Sequence, residues 1–233
     1  MNVAIIPARG GSKRIPRKNI QPFFGKPMIG YAIDVAVATR LFDRIIVSTD
    51  DDEIAAVAEG LGAEVPFRRP AELANDFAGT TVVIKHAIQW LNDHGPSVQY
   101  ACCIYSTVPF LQPEYLQEGY EKLLASGSAY TFPITSFPAP IQRAVRVNAA
   151  GCIESFYPEN FHTRSQDLEP AYYDAGQFYW GRAEAFLEEV IIHAPTSLPV
   201  YLPRHMVQDI DTLEDWQHAE RMYADWKASG MQR

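Results

Sequence analysis

Val3-Ala-Ile-Ile-Pro-Ala-Arg-Gly-Gly-Ser-Lys-Arg-Ile-Pro-Arg-Lys-Asn19 begins as a strand and then turns into a glycine-bearing cationic loop. Val3 to Ile6 is short, apolar and rich in β-branched residues, the composition of a strand buried on both faces. Pro7 to Gly11 supplies the punctuation that ends it. Past the loop, Met28, Ile29, Ala32, Ile33, Ala36 and Val37 recur at helical spacing, and Ile45 to Val47 reads as a second buried strand. Asp50 with Glu53 three residues on fits a capping box for a helix through Ala55 to Leu61, with Gly62 as its stop. A short strand is expected near Val65. Thr80 or Thr81 opens a helix carrying Val83, Ile84, Ala87, Ile88 and Leu91; Cys102 to Tyr105 is the next strand, and Glu114 to Leu124 the next helix. Strands alternating with helices of this length predict an α/β fold, a three-layer αβα sandwich around a mostly parallel sheet with right-handed crossovers. Ligands of such sheets gather at the carboxyl ends of the strands, where the Arg9 loop and the segment after Tyr105 would sit.

The remaining sequence is consistent with one domain over residues 1–233. At 47% hydrophobic side chains the chain can bury a substantial core, and no linker or internal repeat divides it. From Ser136 to Tyr173 the helix-strand rhythm lapses into Pro, aromatic and polar residues, as expected of an inserted lobe or a subunit-contact segment. Phe137, Phe156, Tyr157, Phe161, Tyr172 and Tyr173 favour contacts there, with a second subunit as one candidate. The first apolar run breaks at Pro7 and Arg9, too early for a signal-peptide core or a membrane span, so a cytoplasmic protein is expected. Three cysteines without a CxxC spacing indicate neither a disulfide framework nor zinc, and are expected to be small buried residues. None of the six histidines has HxxxH or HExxH spacing.

A formal charge of -8 disfavours a nucleic-acid partner. Against that acidic background, Arg9, Lys13, Arg14, Arg17 and Lys18 concentrate positive charge in one loop, which indicates a small polyanion. Backbone amides of a Gly-rich turn together with Lys and Arg hold phosphates and offset charge that grows during attack on phosphorus. The loop is neither GxxxxGK[ST] nor GxGxxG, and no GxSxG elbow occurs, which counts against kinase, dehydrogenase and hydrolase readings. Near the other end, Gln208-Asp-Ile-Asp-Thr212 offers two carboxylates at i and i+2 that suit a hard Mg²⁺ ion. Asp211 followed by Glu214 equally fits a capping box for a helix through Trp216, Ala219 and Met222. Arg69-Pro-Ala-Glu-Leu-Ala-Asn-Asp76, running on to Thr80, reads by itself as a turn and helix cap.

The motif IIPARGGSKRIPRKNI resembles the opening motif of the CMP-sialic acid synthetase family of sugar nucleotidyltransferases, and the likeness runs from the Arg9 loop to Asp211. It implies that Arg9, Ser12 and Lys13 contact phosphates, that Lys18 stabilises the triphosphate at the reacting centre, and that Asn19 helps hold the nucleotide. Arg9, Lys18 and Asp211 become the candidate catalytic residues. Arg69 and Thr80 fall in the segment that resembles the base-recognition stretch, and Asp209 and Asp211 in the one resembling the metal-binding motif. Phe137-Pro-Ala-Pro-Ile-Gln-Arg-Ala144 and Tyr173-Asp-Ala-Gly-Gln-Phe-Tyr-Trp-Gly181 resemble the pseudaminic acid cytidylyltransferases of this family more than its neuraminic acid enzymes. Tyr105 stands where the latter usually carry a glutamine. Tyr105, Gln177 and Tyr179 are thereby candidate sugar contacts, and Arg164 resembles a family arginine that grips the sugar carboxylate. The resemblance implies transfer of CMP from CTP to an acidic nine-carbon sugar, Mg²⁺ as cofactor and a homodimer. An enzyme for neuraminic acid or another 2-keto sugar acid, and a non-catalytic nucleotide-binding protein, are the alternatives.

Overall fold

Val3, Ala4, Ile5 and Ile6 are wholly buried, as a run that is apolar on both sides requires, and form the interior of strand β1 (Asn2–Pro7). The computed structural model of the chain describes residues 1–75 and 77–230. After β1 come a small hairpin of β2 (Pro22–Phe23) and β3 (Lys26–Pro27), helix α1 (Met28–Thr39), β4 (Arg44–Ser48) and α2 (Asp52–Gly60). They are followed by α3 (Thr80–Asp93), β5 (Tyr100–Ile104), α4 (Pro113–Ser126) and β6 (Tyr130–Ser136). The second half adds the hairpin β7 (Val145–Val147) and β8 (Ile153–Ser155), then β9 (Tyr172–Asp174), β10 (Phe178–Arg182), α5 (Ala183–Leu187), β11 (Leu198–Tyr201) and α6 (Leu213–Ala228).

One seven-stranded sheet has the order β11-β6-β10-β5-β1-β4, with β9 paired to the end of β6. Its parallel pairs are β1 with β4, β1 with β5 and β11 with β6. β10 is inserted in reverse, antiparallel to both β5 and β6, and β9 is also antiparallel. The sheet is therefore mixed: five of its seven strands run in one direction, and β9 and β10 in the other. Alternation along β1 explains the layering: Ala4 and Ile6 face the core shared with α1, α2 and α4, whereas Val3 and Ile5 face that of α3 and α5. A third cluster, with Ile15, Phe23, Phe110 and Trp216, seats α6 against the root of the cationic loop.

Four local expectations are corrected. The N-cap of α2 is Asp51, whose side chain accepts from the Ile54 amide, so Asp50 is left for another role. The strand expected near Val65 reduces to a single bridge from Ile46 to Glu64. The capping box of α6 is Thr212 with Asp215, one residue beyond the predicted Asp211 and Glu214, which leaves the Asp211 side chain outside the cap. Cys102 and Cys103 are buried but Cys152 is exposed. Between β6 and β9 the chain leaves the sheet, and its only strands there are β7 and β8, paired with each other.

Candidate active site

The cationic loop leaves the carboxyl end of β1 and is tied down before any ligand arrives. Asn19 is 5% exposed; its Nδ2 donates to the Arg9 carbonyl at 2.9 Å and its Oδ1 accepts from Ser106 Oγ at 2.8 Å, joining the loop to the end of β5. The Gly10 amide donates to Asp50 Oδ1 at 2.9 Å, so that amide is committed to the protein. A Cβ at Gly10 would lie 2.7 Å from Asp51 Oδ2, which restricts the position to glycine. Asp51 is gripped in turn by Arg17, whose Nη1 and Nη2 donate at 2.5 and 3.0 Å. That grip holds the Asp51 carboxyl below its ordinary value. The two aspartates after β4 thus brace the loop from beneath.

Arg69 forms one wall. It is 6% exposed, its Nε donates to Ser48 Oγ at 3.1 Å, and its Nη2 donates to the Ser48 carbonyl. Burial lowers its pKa to about 10, Asp50 opposes that shift, and nearby Arg9 adds to it. A guanidinium held this dry, beside another cation, gains from an anionic or carbonyl-bearing ligand.

The opposite wall comes from the segment ahead of α6. Lys18 donates to the Ile210 carbonyl and lies 3.4 Å from Asp211 Oδ1, while Arg14 is 2.7 Å from Asp211 Oδ2. Residues separated by nearly the whole chain are thereby locked together. Burial and the Asp211 charge push the Asp209 carboxyl above its ordinary value, with Lys18 opposing.

These walls enclose a cavity of about 400 Å³. Five cations line it, Arg9, Lys13, Arg14, Lys18 and Arg69, against the two carboxylates Asp209 and Asp211, a balance suited to a polyphosphate. Ser12, Asn19, Thr80 and Tyr105 complete the predicted set that meets there. Arg14 of the cationic cluster lines it too, as do Ser106 and Thr107, and Asp50 supports it; the sequence reading assigned none of Ser106, Thr107 and Asp50 to the site. Only the position of Ser106 and Thr107 after a buried strand could have flagged them.

Three predicted residues do not line the cavity. Gln177 is buried, its Nε2 donating to the Met206 carbonyl at 2.7 Å. Tyr179 is buried behind Tyr105, with ring centroids 5.6 Å apart, and its hydroxyl donates to Asp174 Oδ2 at 2.8 Å. Arg164 lies in the excursion between β6 and β9, its side chain 72% exposed and paired with Asp167 at 2.7 Å. Asp76, at the end of the stretch that begins at Arg69, lies outside the described residues. Among the described residues no group of three or more His, Cys, Asp or Glu is arranged to hold a metal, and no helix is long and apolar enough to cross a membrane.

The sequence family described as "Cytidylyltransferase" matches residues 3–227. A pseudaminic acid cytidylyltransferase of Campylobacter jejuni is 45% identical over 222 residues, which cover 95% of this chain and 96% of that one. A CMP-N,N'-diacetyllegionaminic acid synthase of Legionella pneumophila is 31% identical over 232 residues, covering 94% of this chain and 95% of its own. Among solved structures, CMP:2-keto-3-deoxy-manno-octonic acid synthetase complexed with CTP aligns with a TM-score of 0.70 at 16% identity, over 96% of this chain and 98% of that one. At that identity the likeness speaks for the fold.

Proposed function

The chain belongs to the cytidylyltransferase family, and from that membership we propose that it transfers CMP from CTP to the anomeric hydroxyl of an acidic nine-carbon sugar, pseudaminic acid. The single observation that carries this reading is the meeting of the Arg9 to Asn19 loop with Asp209 and Asp211 across one cavity, bridged by Lys18. The sugar oxygen forms a bond to the α-phosphorus, its hydroxyl proton being released to solvent, as the bond from that phosphorus to the bridging oxygen breaks and pyrophosphate leaves in line. Lys18 and Arg9 stabilise the negative charge on the triphosphate, with Ser12 and Lys13 as further phosphate contacts. Asn19, Arg69 and Thr80 hold the nucleoside, and Tyr105 meets the sugar.

Asp209 and Asp211 would hold Mg²⁺. Their fit is supported by the chemistry of two hard-oxygen donors on one cavity, the Asp209 carboxyl raised in pKa by desolvation and then by the Asp211 charge. When bound, the ion would supply charge neutralisation on phosphate oxygens. Mg²⁺ ordinarily takes one or two carboxylates and completes its shell with substrate phosphates and water.

The reading includes a homodimer in which the excursion between β6 and β9 reaches a second copy. Exposed Val147, Ile153 and Phe156 on and beside its hairpin support that, as does the outward position of Arg164. Arg164, Gln177 and Tyr179 remain sugar-site candidates in this assembly. Cytoplasmic location is part of the same proposal, since CTP is a cytoplasmic metabolite.

The test is pyrophosphate release from CTP and Mg²⁺ with pseudaminic acid and N-acetylneuraminic acid supplied in parallel, with mass spectrometry of the product. Turnover with pseudaminic acid alone is expected. Turnover with neuraminic acid instead would keep the chemistry and reject the sugar; CTP binding without turnover on any 2-keto sugar acid would reject the enzyme. Addition of EDTA is expected to abolish release, and excess Mg²⁺ to restore it.

A further inference from the structure

Asp211 has a cation on each of its carboxylate oxygens. Arg14 Nη2 lies 2.7 Å from Oδ2, and Lys18 Nζ lies 3.4 Å from Oδ1. The backbone beneath this carboxylate is fixed, because the Asp215 side chain accepts from the Asp211 amide at 3.1 Å and from the Thr212 amide at 2.8 Å. The two cations are held differently. Lys18 is mostly buried and also donates to the Ile210 carbonyl. The Arg14 side chain is 62% exposed and lines the cavity. Ile15, next in the chain, is buried in the cluster that seats α6. The Arg14 backbone is thereby anchored, and its guanidinium can turn between Asp211 and the cavity.

We propose that Arg14 is an exchangeable counter-ion for Asp211: it neutralises the carboxylate until a triphosphate draws the guanidinium away, so that Asp211 takes a divalent cation together with the nucleotide and not before it. The charges dictate this order. A guanidinium and a divalent cation repel each other when they share one carboxylate, so a metal binds Asp211 at a disadvantage while Arg14 stays on Oδ2. A triphosphate carries more charge than one carboxylate and offers several oxygens to the planar fork of Arg14. An exposed ion pair is weak enough to be traded for that contact. Once Arg14 has turned, both oxygens of Asp211 face the metal with less competition, and each ligand then favours the other by the same factor. That the triphosphate is CTP rests on the cytidylyltransferase reading; the competition between Arg14 and a cation for Asp211 does not.

Mn²⁺, whose free ion is counted by electron paramagnetic resonance, tests the first half of the exchange with neither nucleotide nor turnover. Arg14→Gln is expected to bind Mn²⁺ about fivefold more tightly than the wild type, the ratio set by loss of one exposed ion pair. The gain should vanish when Asp211→Asn is added. Equal or weaker Mn²⁺ binding by Arg14→Gln overturns the proposal, as does a gain that survives Asp211→Asn.

Calorimetry with inorganic tripolyphosphate and with CTP, each in excess Mg²⁺ and without sugar acid, tests the second half. Here Arg14→Gln is expected to act in the opposite direction and weaken both ligands about fivefold. A side chain that merely supported the loop would not strengthen one ligand while weakening the other. Unchanged affinity for tripolyphosphate overturns the exchange, because Arg14 would then never leave Asp211. Weakened tripolyphosphate binding in the variant, with no CTP binding by the wild type, rejects the cytidylyltransferase reading and upholds the exchange.

Discussion

Arg69 and Arg164 are both arginines with a predicted ligand contact, and they sit in opposite kinds of surroundings. Arg69 is fixed between Ser48 and Thr49 with almost no exposure, its side chain set by strand β4. Arg164 belongs to a segment whose hairpin turns valine, isoleucine and phenylalanine outward, and it pairs only with its own neighbour Asp167. The groups around the cavity are thus held within one chain, Arg69 and Asn19 by the ends of β4 and β5, and Lys18 and Arg14 by the segment ahead of α6. The excursion instead leaves its apolar side chains and Arg164 exposed. Preorganised groups act through electrostatics that are already in place; exposed groups act only after something else orders them.

The largest expected effect lies at the cavity. Lys18→Ala should lower kcat for pyrophosphate release about a hundredfold with unchanged circular dichroism, and Asp211→Ala at least about tenfold; near-full activity in both would remove the cavity from the chemistry. Next, Arg69→Met fills the same space without the charge. It should raise KM for CTP by about tenfold or more and melt no lower than the wild type, since the buried guanidinium is itself costly. A clear drop in melting temperature would make Arg69 a structural residue instead.

Substitutions in the excursion should do the reverse. Val147→Asp with Ile153→Asp is expected to shift the protein towards monomer in sedimentation velocity and to raise KM for the sugar acid several-fold, leaving KM for CTP unchanged; no shift would separate the excursion from assembly. Arg164→Ala should move the melting temperature by no more than about two degrees, since an exposed ion pair contributes about 1 kcal/mol or less, while still weakening the sugar acid in the assembled protein.

The smallest effect is a pH dependence. Arg17 lowers the Asp51 pKa, so this pair contributes stability that is fully present above the ordinary aspartate value of 3.8 and is lost as the pH falls below it. Asp51→Asn keeps an N-cap but not the ion pair. Its melting temperature should therefore fall less steeply than that of the wild type below about pH 4, and parallel curves would show that the brace beneath the loop is not electrostatic.

Most of the fold and much of the cavity were legible in the sequence, for identifiable reasons. Apolar periodicity marks β1, α1, β4, α3, β5 and α4 because each buries a defined face. It is silent about direction, so the reversed insertion of β10 had no signature: a central strand is apolar whichever way it runs. Caps were displaced by one residue twice, at Asp50 against Asp51 and at Asp211 against Thr212, because consecutive Asp, Thr and Glu satisfy the same spacing and only the backbone turn selects among them. The first displacement hid the part Asp50 plays under Gly10. The second frees Asp211 for the cavity.

The contact between Lys18 and Asp211 spans 193 positions of the chain. During synthesis at roughly 5–20 residues per second, the two ends of that contact leave the ribosome roughly 10–40 s apart. The cations of the loop are made well before the carboxylate that meets them. A growing chain can thus assemble most of its sheet well before it can close this cavity.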